Sequence, residues 1–206
     1  MTQNINAIIF DLGNVLIGWD PRQLYKRLLP DLKTVDRFLE QIRFPEWNAK
    51  QDAGRPFREG VAELSKEFPQ YAELIQAYDT YWEESITGTH DGTIELVKEL
   101  QQAGWKLFML SNFSVEKFEI IKQQYGFLDF FDDIVISGKY NVVKPDPAIF
   151  EIAIERFGRP ANKCLFIDDS APNITTAQRL GFNTIHYQSP TQLREQLKKL
   201  SIKGIK

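Results

Sequence analysis

The sequence predicts an α/β fold, in which a parallel sheet carries helices on both faces and is interrupted near its start by an all-helical insertion. Short apolar runs alternate with amphipathic helical patterns through most of the chain. A glycine follows each of the expected helices closely, and the next strand resumes within a few residues. One long stretch near the N-terminus has helical periodicity only. Alternating strands and helices of this kind form right-handed βαβ units.

The strands are expected where short runs are rich in β-branched and aromatic residues, at 5–10, 106–110, 133–137, 164–167 and 183–187. The intervening helices are expected at 91–103, 115–125, 147–157 and 172–180. This order predicts a Rossmann-like parallel sheet.

The insertion has no convincing strand between residues 21 and 88, and its helical patterns lie at 21–29, 35–42, 57–68 and 71–84. Pro21 and Pro56 suit the first turns of helices. We therefore expect an α/β core made of residues 1–18 and 89–206, with a helical cap at 19–88.

Composition and charge limit the classes of function. The chain has 206 residues, of which 43% are hydrophobic and 26% charged, and this suits one domain with a modest insertion. Its net charge of −3 gives no reason to expect nucleic acid or an acidic membrane surface as a partner. Residues 1–4 lack the pattern of a signal peptide, and no apolar run approaches the roughly 20 residues of a membrane span. We expect a cytoplasmic protein with no membrane partner, and the oligomeric state stays open.

Polar residues follow the expected strands at points that would meet at one edge of the sheet. Asp11 ends the first strand, Ser111-Asn112 follows the second, and Asp168-Asp169 follows the fourth, while Lys144 precedes a helix that starts with proline. Each has an ordinary alternative taken alone: Asp11 and Ser111 as caps, Lys144 as a solvated charge, and the paired aspartates as residues flanking a helix N-terminus. Their joint order favours a catalytic site.

These segments resemble the motifs of the haloacid dehalogenase superfamily, and the resemblance covers essentially the whole chain. The matching segments, in order, are Phe10-Asp11-Leu12-Gly13-Asn14-Val15, Leu110-Ser111-Asn112, Lys144-Pro145-Asp146-Pro147, and Phe166-Ile167-Asp168-Asp169-Ser170 with Asn173. The helical insertion is similar to the cap of the superfamily's first subclass.

The resemblance implies a Mg²⁺-dependent phosphatase acting on a small phosphorylated metabolite. Asp11 is then the nucleophile that forms an aspartyl-phosphate, and Lys144 neutralises the phosphoryl charge. The metal ligands are expected to be Asp11, the Gly13 carbonyl, Asp168 and Asp169, because Mg²⁺ prefers oxygen ligands. Phosphate oxygens are expected to be held by Ser111, Asn112, Asn14 and Lys144.

Gly13 departs from the usual phosphatase motif, which has at this position a second aspartate that serves as general acid and base. Three outcomes stay open: a substitute acid, a substrate with a good leaving group, or weak activity. Asp20 is the nearest substitute, although its position favours a cap for the helix that begins at Pro21. A sugar 1-phosphate has a comparatively acidic leaving hydroxyl, so it would need a general acid least. The segment Asp-Leu-Gly-Asn-Val also resembles that of the bacterial glucose-1-phosphate phosphatases of this superfamily.

Two alternatives to a phosphatase remain at this point. One is a catalytically weak metabolite-binding or regulatory protein, and the other is a 2-haloacid dehalogenase, which needs no metal and typically lacks the aspartate pair. Specificity residues are expected in an interhelical segment of the cap that contains Trp47, Asn48, Lys50 and Arg55.

Overall fold

The computed structural model describes residues 5–205, so the expectation about residues 1–4 lies outside the described residues. The strands are β1 (Ala7–Phe10), β2 (Ile17–Trp19), β3 (Ile86–Thr89), β4 (Lys106–Ser111), β5 (Asp133–Ile136), β6 (Cys164–Asp168) and β7 (Asn183–His186). The helices are α1 (Pro21–Tyr25), α2 (Leu32–Gln41), α3 (Phe44–Asp52), α4 (Phe57–Glu67), α5 (Ala72–Thr80), α6 (Asp91–Gln102), α7 (Val115–Gln124), α8 (Pro147–Phe157), α9 (Ala171–Arg179) and α10 (Pro190–Lys199).

Five strands form a parallel sheet in the order β5-β4-β1-β6-β7, which confirms the predicted fold class. β1 lies at the centre, and Phe10 is in register with Met109 of β4 on one side and Ile167 of β6 on the other. The carboxyl ends of β1, β4 and β6 therefore lie side by side at one edge of the sheet.

The two faces of the sheet are covered by different helices, as the alternation of side chains along each strand requires. Ile8 and Phe10 of β1 belong to an apolar cluster that includes side chains of α6, α7 and α10. Ala7 and Ile9 belong to a second cluster that includes side chains of α8 and α9. Both faces are thus buried, which fits the near-continuous apolar character of these strands.

The cap packs five helices around aromatic side chains. Tyr78 of α5 lies between the rings of Phe44 and Trp47, with centroid distances of 4.9 and 5.8 Å. Tyr25 packs edge-on against Phe38 at 4.8 Å. Aromatic residues therefore supply much of the apolar surface that this small helical layer buries.

The prediction that the insertion contains no strand is wrong at its C-terminal end, because β3 pairs antiparallel with β2. β3 is mostly exposed and its Gly88 has a φ of +118°, so it has neither the apolar alternation nor the composition that identifies a strand. The pair lies where the chain leaves and re-enters the core. The domain limits 1–18, 19–88 and 89–206 stay a prediction.

The predicted interhelical segment is also wrong for most of its length, because Trp47, Asn48 and Lys50 lie on helix α3. This helix places the amide of Gln51 in the buried layer, where it donates to the Trp47 carbonyl at 2.5 Å. A polar side chain at a core position interrupts the apolar periodicity on which the prediction depends. Among residues 5–205, no helix has the length and apolarity required to cross a membrane.

Candidate active site

Asp11 lies directly beyond the end of the central strand. Its backbone N–H continues the sheet by donating to the Ile167 carbonyl at 2.9 Å. Its carboxylate accepts the Leu12 N–H at 2.7 Å and the hydroxyl of Ser111, which ends β4. The residue is 7% exposed. The sheet thus fixes one buried carboxylate beside one hydroxyl, as the strand ends predicted.

Lys144 joins this site from the loop before α8, and it is 3% exposed. Its Nζ lies 2.9 Å from Asp11 Oδ1 and 2.7 Å from Asp168 Oδ2, and it donates to the Leu110 carbonyl at 2.8 Å. Burial lowers the pKa of Lys144, but the two carboxylates outweigh this effect and hold it above its usual value. Lys144 therefore stays a cation at the centre of the site.

Asp168 ends β6 and is held rigidly. Its Oδ1 accepts the Ser170 N–H at 2.8 Å and the Asn173 amide at 3.0 Å. The adjacent Asp169 is less buried and accepts a hydrogen bond from the Asn14 side chain. The two aspartates therefore have distinct environments, one fully buried and one partly exposed.

Asp11, Asp168 and Asp169 form a group whose carboxylate oxygens lie within 4.8 Å of one another. Burial raises the pKa of Asp11, and the charge of Asp168 adds to this effect against that of Lys144. Burial and the charge of Asp168 likewise raise the pKa of Asp169. Three carboxylates with one lysine leave an excess of negative charge, and the donor atoms are all hard oxygens, so the group fits Mg²⁺.

The expected phosphate-binding residues lie in different settings. Ser111 is 1% exposed and contacts Asp11. The side chain of Asn112 spans the backbone of Lys144, since it accepts the Lys144 N–H at 2.7 Å and donates to the Lys144 carbonyl at 2.9 Å. Asn14 has a φ of +54°, and its Oδ1 accepts the Trp19 N–H at 3.1 Å. Asn112 thus positions Lys144, whereas Asn14 connects the first loop to Asp169.

A cavity of about 130 Å³ lies between the core and the cap. It reaches the site at Gly13 and Asn112, and its lining does not include Asp11, Lys144, Asp168 or Asp169. Five of its eleven lining residues are aromatic. The lining residues are Gly13, Trp19, Asn48, Asp52, Phe57, Tyr78, Trp82, Asn112, Phe113, Ser114 and Lys117. The cap therefore closes over the sheet edge and provides an apolar surface for whatever is attached to a bound phosphate.

The four cap residues expected to set specificity are separated by the structure. Asn48 lines the cavity. Trp47 is buried and donates from Nε1 to the Gly60 carbonyl at 2.9 Å, while Arg55 pairs with Glu63 at 2.5 Å. Lys50, Trp47 and Arg55 line a different pocket on the cap, at which neither Asp11 nor Gly13 is found. Asn48 alone of the four faces the cavity beside Gly13.

Asp20 acts as a helix cap. Its Oδ1 accepts the Arg22 N–H at 2.9 Å at the N-terminus of α1, which is the structural alternative considered for this residue. Asp20 is not among the residues that line the cavity. The acidic residue that does line it is Asp52, which the sequence did not identify, because its position depends on how α3 docks against the core.

Comparisons with known proteins agree with this geometry. The chain is 25% identical over 192 residues to the sesquiterpene phosphatase astK of Aspergillus oryzae, a match that covers 90% of this chain and 91% of that protein. It is also 25% identical to the drimenol cyclase drtB of Aspergillus calidoustus over 94% of its own length, but it spans only 36% of that longer protein. The (S)-2-haloacid dehalogenase of Pseudomonas sp. (strain YL) is 32% identical over 88 residues, which are 43% of this chain and 38% of that enzyme.

Solved structures share the fold. A haloacid dehalogenase-like (HAD-like) hydrolase of Porphyromonas gingivalis superposes with a TM-score of 0.77 at 24% identity. The match covers 97% of this chain and 98% of that chain. A HAD family enzyme of Bacteroides thetaiotaomicron, solved with magnesium and inorganic phosphate, has a TM-score of 0.70 at 22% identity and covers 90% and 95% of the two chains. A sequence model of the haloacid dehalogenase-like hydrolases matches residues 5–181. On this match and this fold, the chain belongs to the haloacid dehalogenase-like hydrolase family.

Proposed function

We propose that this protein is a Mg²⁺-dependent phosphatase that hydrolyses a small phosphorylated metabolite through an aspartyl-phosphate on Asp11. The observation that carries the proposal is the convergence of Asp11, Lys144 and the Asp168-Asp169 pair at one sheet edge, with carboxylate oxygens close enough to share a cation. The phosphatase named among the relatives and the magnesium and phosphate bound in a structural neighbour support it.

The first step is attack by an Asp11 oxygen on phosphorus. This carboxylate is fixed by the Leu12 N–H and by Lys144, so it needs little reorganisation before it reacts. As the new P–O bond forms, the bond to the leaving oxygen breaks. Lys144 places a fixed positive charge beside the group that is transferred, which favours the more highly charged transition state.

Mg²⁺, held by Asp11, Asp168 and Asp169 with the Gly13 carbonyl, would neutralise the charge that builds up on the phosphoryl oxygens. Burial raises the pKa of Asp11, so a bound cation would also help to keep this nucleophile ionised. Asn173 and the Ser170 N–H hold Asp168 in a single orientation. These contacts prepare the carboxylates to act as ligands.

The paired carboxylates favour a phosphatase over a 2-haloacid dehalogenase. Displacement of halide from carbon requires only one nucleophilic carboxylate. Retaining Asp168 and Asp169 beside Asp11 without a cation would place like charges together at an energetic cost. Burial first, and then the charge of Asp168, raises the pKa of Asp11 and of Asp169. A divalent cation removes that cost.

For the substrate, we propose a small phosphate monoester, with a sugar 1-phosphate as the first candidate. The anomeric oxygen of such a sugar leaves more readily than an alkoxide, which suits a first loop with Gly13 in place of a second aspartate. The aromatic wall of the cavity could pack against the C–H face of a sugar or against a hydrocarbon chain. A test panel therefore needs both kinds of leaving group.

The test is phosphate release from sugar 1-phosphates, alkyl phosphates, a prenyl monophosphate and p-nitrophenyl phosphate, in Mg²⁺ and in EDTA, by the wild type and by Asp11→Asn. We expect turnover only with Mg²⁺ and only in the wild type. Turnover in EDTA, turnover by Asp11→Asn, or halide release from 2-haloacids without metal would each overturn the proposal. Asp11→Asn preserves the size of the side chain and an acceptor for the Leu12 N–H, so it removes the charged nucleophile without opening a cavity.

A further inference from the structure

The first loop has room for an acid at position 13 but does not carry one. A Cβ added to Gly13 would meet no atom within 4 Å, and the φ of Gly13 lies outside the left-handed region. Neither steric crowding nor backbone strain therefore requires glycine here. Because Gly13 lines the cavity, the space beside it is where a proton donor for the leaving group would be needed.

Asp52 lines the same cavity from the cap, at the last position of helix α3. It also lines a second cavity of about 640 Å³ on the cap, which shares Trp19, Asn48 and Asp52 with the first. Asp52 therefore lies at the junction between the phosphate site and the space available to the rest of a substrate. A leaving oxygen that connects those two parts would pass this carboxylate.

Both the cap and the core hold Asp52 in place. Asn48 donates from Nδ2 to Asp52 Oδ2 at 3.0 Å, and the Ser114 backbone N–H also donates to the carboxylate. The Asp52 carbonyl accepts the Ser137 hydroxyl at 2.5 Å, and Ser137 in turn accepts the Phe113 N–H at 2.9 Å. These contacts cross from cap to core, so Asp52 is in position only when the cap is docked.

The hydrogen bonds that hold Asp52 do not pair its carboxylate with a cation. Among residues 5–205, Asp52 makes no salt bridge, and Lys117, the one lysine in the cavity wall, is already paired with Asp79 at 2.6 Å. An anion at the C-terminus of a helix opposes the helix dipole. Burial, followed by the charge of Asp11, raises the pKa of Asp52 to about 7, so this carboxyl group can both give and take a proton near neutral pH.

We propose that Asp52, carried into the site by the cap, is the general acid and base of the reaction and replaces the side chain that Gly13 lacks. This rests on the proposed phosphatase function. In the first step, Asp52 gives its proton to the leaving oxygen as the P–O bond breaks, and an alcohol departs. In the second step, the Asp52 carboxylate takes a proton from the water that attacks phosphorus, while the bond between phosphorus and Asp11 breaks. One ester and one water give one alcohol and one phosphate, and Asp52 regains its proton.

This assignment changes the expected range of substrates. Without an acid, the site would suit good leaving groups such as the anomeric oxygen of a sugar 1-phosphate. With Asp52 as the donor, alkyl phosphates, whose leaving oxygens need a proton, are equally suitable. The docked cap also links proton transfer to closure, because the same helix α3 both lines the substrate cavity and carries Asp52.

The test compares Asp52→Asn with the wild type on two substrates that differ in their need for a proton. With the best alkyl phosphate of the panel, we expect kcat/KM to fall by about 10²- to 10⁴-fold. With p-nitrophenyl phosphate, whose leaving group departs as an anion, we expect a loss of less than about tenfold. Asp20→Asn is the matched control, because asparagine caps α1 as well as aspartate does. It is expected to keep wild-type rates with both substrates.

An equal loss of kcat/KM on both substrates, or no loss on either, would overturn the assignment of Asp52 as the acid, as would a large and leaving-group-dependent loss in Asp20→Asn. A loss of kcat on both substrates is expected, because hydrolysis of the aspartyl-phosphate uses Asp52 as the base whatever the leaving group. The double variant Asp52→Asn/Gly13→Asp gives an independent result. Recovery of alkyl phosphate turnover supports the assignment, and no recovery in a double variant that binds Mg²⁺ as tightly as the wild type counts against it. If Asp11→Asn is active, the phosphatase proposal itself fails. An inactive Asp11→Asn, together with a uniform effect of Asp52→Asn on kcat/KM, rejects the role of Asp52 alone.

Discussion

Asp52→Asn, which we expect to impair catalysis, is also expected to stabilise the metal-free protein as the pH rises. In the unfolded chain, Asp52 loses its proton near its ordinary pKa of 3.8, whereas in the folded protein burial raises that pKa to about 7. Between these values the folded state binds more protons than the unfolded state, so stability falls as the pH increases. Asparagine resembles the protonated acid and never ionises, so the variant avoids this loss.

The magnitude follows from the shift. From 3.8 to about 7 is about three pKa units, and each unit corresponds to about 1.4 kcal/mol, which gives about 4 kcal/mol at most. Asp52 keeps some contact with solvent, which reduces the penalty. We therefore expect Asp52→Asn to raise the free energy of unfolding by about 2–4 kcal/mol at about pH 8, and by little at about pH 4.5.

Other charged groups face the same space and must be kept constant. Asp11 raises the pKa of Asp52, and EDTA is required in the assay because a bound cation would change the charge of this neighbour. The other charged or titratable side chains that line the two cavities are Arg22, Asp36, Glu40, Arg43, Glu46, Tyr78 and Lys117. They are common to the wild type and the variant, so the difference between the two proteins isolates Asp52.

The assay is urea unfolding of the wild type, Asp52→Asn and Asp20→Asn at several pH values. A stability difference for Asp52→Asn that is the same at about pH 4.5 and about pH 8 would refute the reasoning, as would a variant that is less stable than the wild type at the higher pH. Asp20→Asn is expected to change stability by less than about 0.5 kcal/mol throughout, because both residues cap a helix well.

Three further predictions concern the core of the site. Lys144→Met is expected to abolish turnover. In urea unfolding it is expected to lower the free energy of unfolding by about 3–5 kcal/mol, because it leaves the buried Asp11 and Asp168 without their cation. A loss of stability below about 1 kcal/mol would contradict this. Mg²⁺ at 100 times its Kd is expected to stabilise the wild type by about 2.7 kcal/mol in thermal unfolding. Asp169→Asn is expected to reduce this stabilisation, because it removes one of the three carboxylates that could hold the ion. An unchanged stabilisation in the variant would argue against Asp169 as a ligand. Asn112→Ala removes two hydrogen bonds to the Lys144 backbone. It is expected to lower the free energy of unfolding by about 1–3 kcal/mol and to reduce kcat. A variant with wild-type kinetics would show that Lys144 does not need these hydrogen bonds.

The core of the site could be predicted because its residues follow directly from strand ends. Asp11, Ser111 and Asp168 each come after a short apolar run, and a parallel sheet brings such ends together whatever the details of packing. Lys144 was harder to place, since it lies on a loop, yet its position before a proline-started helix was enough to associate it with this edge.

The cap was less predictable because its determinants are not local. Helix α3 buries Gln51 through hydrogen bonds to Trp47 and Arg55, and such a polar core position cannot be distinguished from a surface position in the sequence. The β2–β3 pair joins residues 17–19 with residues 86–89, which are far apart in the chain. Asp52 has no motif around it, and its place beside Gly13 depends on the contacts of α3 with Ser114 and Ser137 in the core.

The most direct measurement of the central claim is to trap the covalent intermediate. The wild type is mixed with a phosphate-labelled substrate and Mg²⁺, quenched with acid within the first turnover, and digested so that the labelled peptide can be sequenced. We expect the label on Asp11, at the end of the central strand, and no label on Asp11→Asn. Turnover by the wild type with no label on the protein, or with the label on another residue, would contradict it.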